Sequence, residues 1–339
     1  MADFALLPDQ GSADFGGTMK LWGAETGIGF EKLGIWLSNV PRGFTLFNFD
    51  FAFYGVVIAI GALLGLTLSM QHAKRNGEDP DLYYYYAIPA ILIGVLGARI
   101  YYIIFNFEIY RDNPLLMLNI RDGGLAIYGG IIAAVVWLII YSRMKKASFW
   151  LMTDTACLGL LVGQIFGRWG NFFNREVFGK FSDGLFSMQI DITCPLLWPE
   201  FNPQYVSDAE LAQMYLGRDS MLQKIIEVRQ NIYVNQAGVS VISVHPTFLY
   251  ESLCNLALLI ILLIYSKHKK FDGEMFIYYV GGYGLVRFFI EGVRTDQLFI
   301  GNTALAVSQV LSAILVAAAV VMWFILRSHA KKKGTLRED

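Results

Sequence analysis

Residues 304–326 read ALAVSQVLSAILVAAAVVMWFIL and carry no formal charge. An α-helix rises about 1.5 Å per residue, so roughly 20 apolar residues cross a hydrocarbon core of about 30 Å. This stretch therefore predicts a membrane-spanning helix. Working outward from it, six more stretches qualify, at approximately 51–71, 83–105, 123–142, 148–166, 246–266 and 273–291. Thr153, Asp154 and Thr155 interrupt the fourth, and Arg287 lies in the sixth, so both are marginal by hydropathy alone. Composition agrees: 55% of the 339 residues are hydrophobic and only 16% charged, with a mean hydropathy of +0.46. An ordinary soluble domain carries about 25% charge. The same numbers exclude disordered, collagenous and coiled-coil chains. A net charge of −1 recruits neither nucleic acid nor acidic partners. Cys157, Cys194 and Cys254 lie far apart without a CxxC, which excludes a disulfide scaffold and a cysteine-rich zinc site. The expected fold class is an all-α membrane protein of seven transmembrane helices with a small extracytoplasmic head segment.

Seven spans place the termini on opposite sides. One set of short segments is basic: Lys74 and Arg75; Arg143, Lys145 and Lys146; Lys267, Lys269 and Lys270; and a tail with Arg327, Lys331, Lys332, Lys333 and Arg337. These hold nearly half of the 27 basic residues. The positive-inside rule assigns them to the cytoplasm and the N-terminus to the outside. The expected organisation is an extracytoplasmic arm over 1–50, helices one to four over 51–166, a signature loop and head over 167–245, helices five to seven over 246–326, and a basic cytoplasmic tail over 327–339. The N-terminal segment has neither a basic start nor a short apolar core, so it does not read as a cleavable signal. Ile28–Leu37 reads as an interfacial helix on the outer leaflet. Ser207–Asn231 reads as one amphipathic helix opened by the Ser207/Glu210 capping box, SVISV from Ser240 as a strand, and Tyr83–Tyr86 as an interface belt.

Ionisable residues inside spans are costly and usually functional. Tracing depth along alternating helices puts Arg99, Glu251, Arg287 and Glu291 in the outer leaflet. Tyr54 and Tyr128 open spans there, and Arg168 and Asn171 leave span four on the same side. Asp154 alone lies near the inner face. Tyr283, Arg287, Glu291 and Arg294 follow a 4, 4, 3 spacing, one stripe of a helix. Snorkelling or a self-satisfied ion pair accounts for any one of these residues, but not for the tyrosines, asparagines and glycines beside them. Arginine suits a phosphate because its planar fork binds the oxygens bidentately. Gly61/Gly65 and Gly94/Gly97 read as helix contacts. Gly123-Gly124 and Gly129-Gly130 bracket Tyr128 and suggest close approach of a ligand.

Residues 167–179 read GRWGNFFNREVFG. Arg168 offers a permanent charge, Asn171 and Asn174 oriented amides, Glu176 a carboxylate to fix a guanidinium, and Gly167, Gly170 and Gly179 permissive backbone. This GRxGNFxNxExxG pattern resembles the signature of the prolipoprotein diacylglyceryl transferases. FYG at 53–55, GAR at 97–99, DGGLAIYGG at 122–130, HPTFLYE at 245–251 and YGLVRFFIEGVRTDQ at 283–297 look like the family's other blocks, in order. The match runs from Leu46 to Ile325. It leaves the first 40 or so residues and much of 180–240 uncovered.

The resemblance implies transfer of a diacylglyceryl group from phosphatidylglycerol to the lipobox cysteine thiol of a bacterial prolipoprotein. The products would be a thioether-linked lipid and glycerol 1-phosphate, formed at the outer face of the plasma membrane. It implies catalytic roles for Arg168 and Arg287 on the departing phosphate, with Arg294 and Glu291 positioning them. Tyr54, Asn171 and Tyr283 would orient the glycerol, with Asn174, Glu176 and Gly179 completing the binding set. Arg99 fits either a head-group contact or a structural ion pair. Many family members carry histidine where this chain has Tyr128. A phenol is a poor proton acceptor near neutral pH, so Tyr128 is expected to orient the phosphate or thiol. His245 reads equally as a cap on span five. No cofactor or metal is expected, and one bundle suffices, so a monomer is expected.

A membrane transporter of anions or lipids would use the same buried arginines. Against it, the spans show no inverted repeat and the polar residues gather at one leaflet, away from the midplane. An intramembrane hydrolase would need a GxSxG serine or a His/Asp pair in the spans, and the sequence has neither.

Overall fold

Where water is excluded, backbone polar groups must pair within the chain, and long apolar runs do so as helices. The computed structural model describes residues 13–15, 19–23, 26–111, 113–119, 123–194, 197, 199–216, 218–300 and 305–337. Among the described residues, six helices are long and apolar enough to cross a membrane: α1 (Phe53–Arg75), α2 (Asp81–Phe105), α4 (Ile127–Met144), α5 (Phe149–Asn174), α8 (Thr247–Tyr265) and α10 (Val307–Lys333). α9 (Glu274–Val293) has 20 residues and coincides with the sixth expected span, but Glu274, Arg287 and Glu291 lower its hydropathy. Short helices α3 (Phe107–Tyr110), α6 (Asp208–Met214) and α7 (Asp219–Gln230) complete the set.

The chain is mostly helical, but not all-α. Among the described residues, nine short strands form two antiparallel sheets. One orders β1 (Ala13–Phe15), β2 (Met19–Trp22), β5 (Gly43–Leu46) and β6 (Phe49–Ala52); the other orders β4 (Ile35–Leu37), β3 (Ile28–Phe30), β7 (Met188–Asp191), β9 (Ser240–Val244) and β8 (Tyr233–Val234). The expected interfacial helix at 28–37 is therefore a β-hairpin. Gly34, at φ 65, ends a single 3₁₀ turn over Glu31–Leu33, and Ile28 pairs with Ile190. The expected helix over 207–231 is two helices: α6 ends where buried Tyr215 turns to donate to Glu200 Oε1 at 2.8 Å. The Ser207/Glu210 capping box and the SVISV strand form as read.

The chain divides into two compact units. The first comprises Met1–Ala62, Leu161–Ile264 and Ile277–Phe324. Its core lies under the second sheet, where Ile28, Ile190 and Ile242 align across three strands and are fully buried with Leu211, Ile225 and Val228. α5 runs on to Asn174, so the first eight residues of the expected signature loop are helical. Arg175 ends it at φ 53, and its fully buried guanidinium donates to Phe173 O (2.9 Å), Thr26 O (2.9 Å) and Val40 O (2.5 Å). Burial pulls that guanidinium below its ordinary pKa.

The second unit comprises Leu63–Leu160, Tyr265–Phe276 and Ile325–Asp339. Here α2 and α4 cross through small residues. A Cβ on Gly129 would strike Tyr101 and the Gly97 carbonyl, and one on Gly97 would strike Ala133. Gly129 thus serves helix packing, and the expected ligand approach beside it gives way to the neighbouring helix. Asp154, 1% exposed, accepts from Lys269 Nζ (3.1 Å), Gly273 N (2.7 Å) and Phe276 N (2.9 Å), and so caps the start of α9. The Tyr83–Tyr86 run is only half a belt: Tyr84 and Tyr85 are exposed, while Tyr83 is buried against Glu78 and Tyr86 bonds Ala134 O.

Candidate active site

The first unit gathers the ends of three helices. Trp169, Phe172 and Phe248 pack edge-to-face or tilted, with ring centroids 5.2–6.0 Å apart, and lock the end of α5 to the start of α8. Arg168 and Glu251 are thereby brought together. Glu251 is 1% exposed, and its Oε1 lies 2.6 Å from Arg168 Nη2. Its Oε2 lies 3.4 Å from Arg287 Nη1 on α9. One buried carboxylate so holds two guanidinium groups that come from different helices. Tyr283, one turn before Arg287, donates to Glu251 Oε1 at 3.4 Å and stacks on Tyr279 at 6.1 Å.

The ion pairs continue along α9. Arg287 Nη2 reaches Glu291 Oε2 at 2.5 Å, and the same oxygen lies 3.7 Å from Arg294 Nη1. Arg294 lies just past the helix and grips Asp296 bidentately, at 2.8 and 2.6 Å. Three guanidiniums alternate with three carboxylates, which satisfies buried charge and fixes each arginine plane. A guanidinium has five N–H donors. Arg168 and Arg287 are 21% and 15% exposed in their side chains, so their remaining edges are accessible.

Asn171 and Asn174 both donate to Glu176 Oε1, at 3.0 and 3.2 Å. Glu176 thus orients amides, where the sequence suggested a guanidinium partner. The Asn174 side-chain amide oxygen, Oδ1, is buried without a partner among the described residues. Tyr54 opens α1 and lays its ring over Gly170, where a Cβ would collide with it. Val177, a β-branched residue at φ 59, turns the chain sharply, held by the Thr247 hydroxyl on its carbonyl. Such a conformation costs on the order of 1–3 kcal/mol. Gly179 is closely packed: a Cβ there would meet His245 and Val293, and its N–H donates to His245 O at 2.9 Å. His245 Nδ1 sits 3.1 Å from the Tyr250 hydroxyl, and burial, reinforced by Lys180, lowers its pKa.

Arg99 and Tyr128 belong to the second unit. Arg99 is 7% exposed, and its five N–H donors meet five carbonyls: Met117 O (2.9 Å), Gly123 O (2.9 Å), Gly124 O (3.0 Å), Leu116 O (2.7 Å) and Asn119 O (2.8 Å). Its plane also lies 5.2 Å from the Tyr110 ring. This is a clamp on the segment leading into α4, which replaces both the head-group contact and the ion pair expected for it. Gly123 and Gly124, at φ 85 and 73, supply the backbone that lets their carbonyls face Arg99. Tyr128 opens α4 and is 40% exposed.

The structure brings Arg168, Tyr283, Arg287, Glu291 and Arg294 together around Glu251, which the sequence placed in the same leaflet without giving it a role in the site. The signal was there: an isolated acid in a span that enters the same leaflet as two arginines. Asp296 and Lys224 were also missed, the latter because nothing local marks it. Among the described residues, no group of three or more His, Cys, Asp or Glu converges in metal-binding fashion.

Apolar helices long enough to cross a membrane, together with three arginines paired to buried carboxylates, define a polytopic membrane protein whose accessible guanidinium edges suit an anionic group. A family model described as prolipoprotein diacylglyceryl transferase matches residues 41–325. The chain is 36% identical over 307 residues to a phosphatidylglycerol–prolipoprotein diacylglyceryl transferase of Bacillus anthracis (strain CDC 684 / NRRL 3495), covering 89% of this chain and 99% of the relative. It is 34% identical over 296 residues to the protein of that name from Clostridioides difficile (strain 630), covering 87% and 98%. The chain belongs to the prolipoprotein diacylglyceryl transferase family and is a membrane transferase.

Proposed function

We propose that the protein transfers the diacylglyceryl group of phosphatidylglycerol to the lipobox cysteine of prolipoproteins, the first step of bacterial lipoprotein maturation. The cysteine sulfur attacks the glycerol carbon that bears the phosphate. A C–S bond forms, the C–O bond breaks in line, and glycerol 1-phosphate departs with the electron pair. The thiol proton passes to the departing phosphate, a carboxylate or water. Arg168 and Arg287 stabilise the growing phosphate charge. Glu251 aims both, and Glu291, Arg294 and Asp296 hold Arg287 from behind. Tyr54, Asn171, Asn174 and Tyr283 orient the glycerol, and Tyr128 orients a substrate without acting as the base. The observation that carries this reading is the Glu251 carboxylate shared by Arg168 and Arg287.

The protein acts in the bacterial plasma membrane as a monomer. α9 crosses as a seventh span, the N-terminal arm and residues 175–245 lie outside, the basic tail is cytoplasmic, and the site is near the outer leaflet. Family membership supports the transferase reading over the transporter. Mixing the purified protein with phosphatidylglycerol vesicles and a lipobox peptide tests it. The peptide should gain one diacylglyceryl mass. An unchanged peptide together with anion uptake by liposomes would instead establish the transporter.

A further inference from the structure

α9 carries the arginine stripe, and its C-terminal end is where that stripe is least supported by its own helix. The last carbonyls of a helix lack intrahelical partners and carry partial negative charge. Lys224 projects from α7 into this position. Its ammonium donates to Gly292 O (3.3 Å), Arg294 O (2.9 Å) and Gln297 Oε1 (2.7 Å). An ammonium has three donors, and all three are used. The Gln297 amide in turn donates to Glu291 O. Lys224 is thus tied, directly and through Gln297, to the backbone of Glu291 and Arg294, the two residues that hold Arg287 from behind.

The other side of the same turn is fastened to the segment after α5. Lys180 N donates to Val293 O at 2.9 Å, and Thr295 Oγ1 donates to Phe178 O at 3.1 Å. Segment 292–297 is therefore pinned between the α5 exit and α7. We propose that Lys224 is a positioning residue for transfer: from the extramembrane helix α7 it captures the end of α9 and sets where Arg287 stands relative to Arg168. The inference rests on the reading of function given above and assigns part of residues 180–240 a task in it.

The test uses the full-length protein with phosphatidylglycerol vesicles and a lipobox peptide, comparing wild type, Lys224→Met and Lys224→Arg. Turnover, KM for the peptide, unfolding temperature and amide hydrogen exchange over 291–297 are measured together. A 1 Å misplacement of a catalytic group can cost about 10²-fold in rate, so a partly slackened anchor should cost about tenfold in kcat. The expected result is that tenfold loss in Lys224→Met, with KM within about twofold, an unchanged unfolding temperature and faster exchange at 292–297. Lys224→Arg, which keeps the charge and donors, should restore turnover and protection. Wild-type kcat in Lys224→Met would overturn the proposal. So would a loss that tracks a lowered unfolding temperature and resists rescue by arginine. If wild type leaves the peptide unmodified, the reading of function fails. Exchange then judges the anchor alone, and unchanged protection in Lys224→Met would overturn it.

Discussion

Glu251 shows what a single buried carboxylate does between two arginines. It neutralises part of their charge, prevents their mutual repulsion and fixes both planes before any phosphate arrives. Replacing it with glutamine keeps the shape and removes the charge. Breaking a buried ion pair from one side typically costs about 3–5 kcal/mol. Glu251→Gln should therefore lower thermal stability and reduce turnover at least 10²-fold, read by unfolding temperature and the peptide mass assay. Arg168→Ala and Arg287→Ala should each abolish measurable transfer, since one preorganised donor to a developing charge is worth about 10²–10³ in rate. Tyr128→Phe should retain substantial activity. Its complete inactivation in a folded protein would make the Tyr128 hydroxyl a direct participant in the chemistry. Arg99 teaches the opposite lesson. A buried arginine reads as functional from sequence, yet five carbonyls consume its donors.

At the scale of elements, glycines decide how closely helices approach. Gly97 and Gly129 face each other across α2 and α4 with no room for a Cβ. Gly129→Leu should force the axes apart and destabilise by about 1–3 kcal/mol or more, visible as a lower unfolding temperature in lipid nanodiscs. Gly163 within α5 has nothing within 4 Å of its would-be Cβ. Gly163→Ala should be neutral or stabilising, by up to about 1 kcal/mol, because alanine is the better helix former. His245, where β9 leads into α8, gives a pH signature. Burial lowers its pKa from the ordinary 6.5, so the folded protein resists the proton that the unfolded chain accepts. Stability should fall as pH drops below about 6.5 and level off below the folded pKa. His245→Gln should flatten that slope in unfolding temperatures measured between about pH 5 and 7.

At the scale of the molecule, the proposed seven spans demand termini on opposite faces. A reporter fused after Asp339 should report the cytoplasm, and a cysteine at Gly238 should react with an impermeant thiol reagent added outside; the reverse pattern would invert the assigned orientation. Where the long apolar helices lie was legible in the sequence, because an apolar run in lipid has to close its hydrogen bonds locally and so announces its helix within a few residues of the true ends. The polar stripe of α9 was legible for the same reason, as were the Ser207 cap and the SVISV strand. The hairpin at 28–37 was not, since its partner Ile190 lies far along the chain and only pairing across that distance makes Ile28 a strand residue. Nor were the Arg99 clamp, the Lys224 anchor and the sharing of Glu251. Local periodicity tells which face of a helix is polar, but the acceptor a charge finally meets is supplied by remote backbone and side chains, and only the assembled tertiary structure brings them within bonding distance.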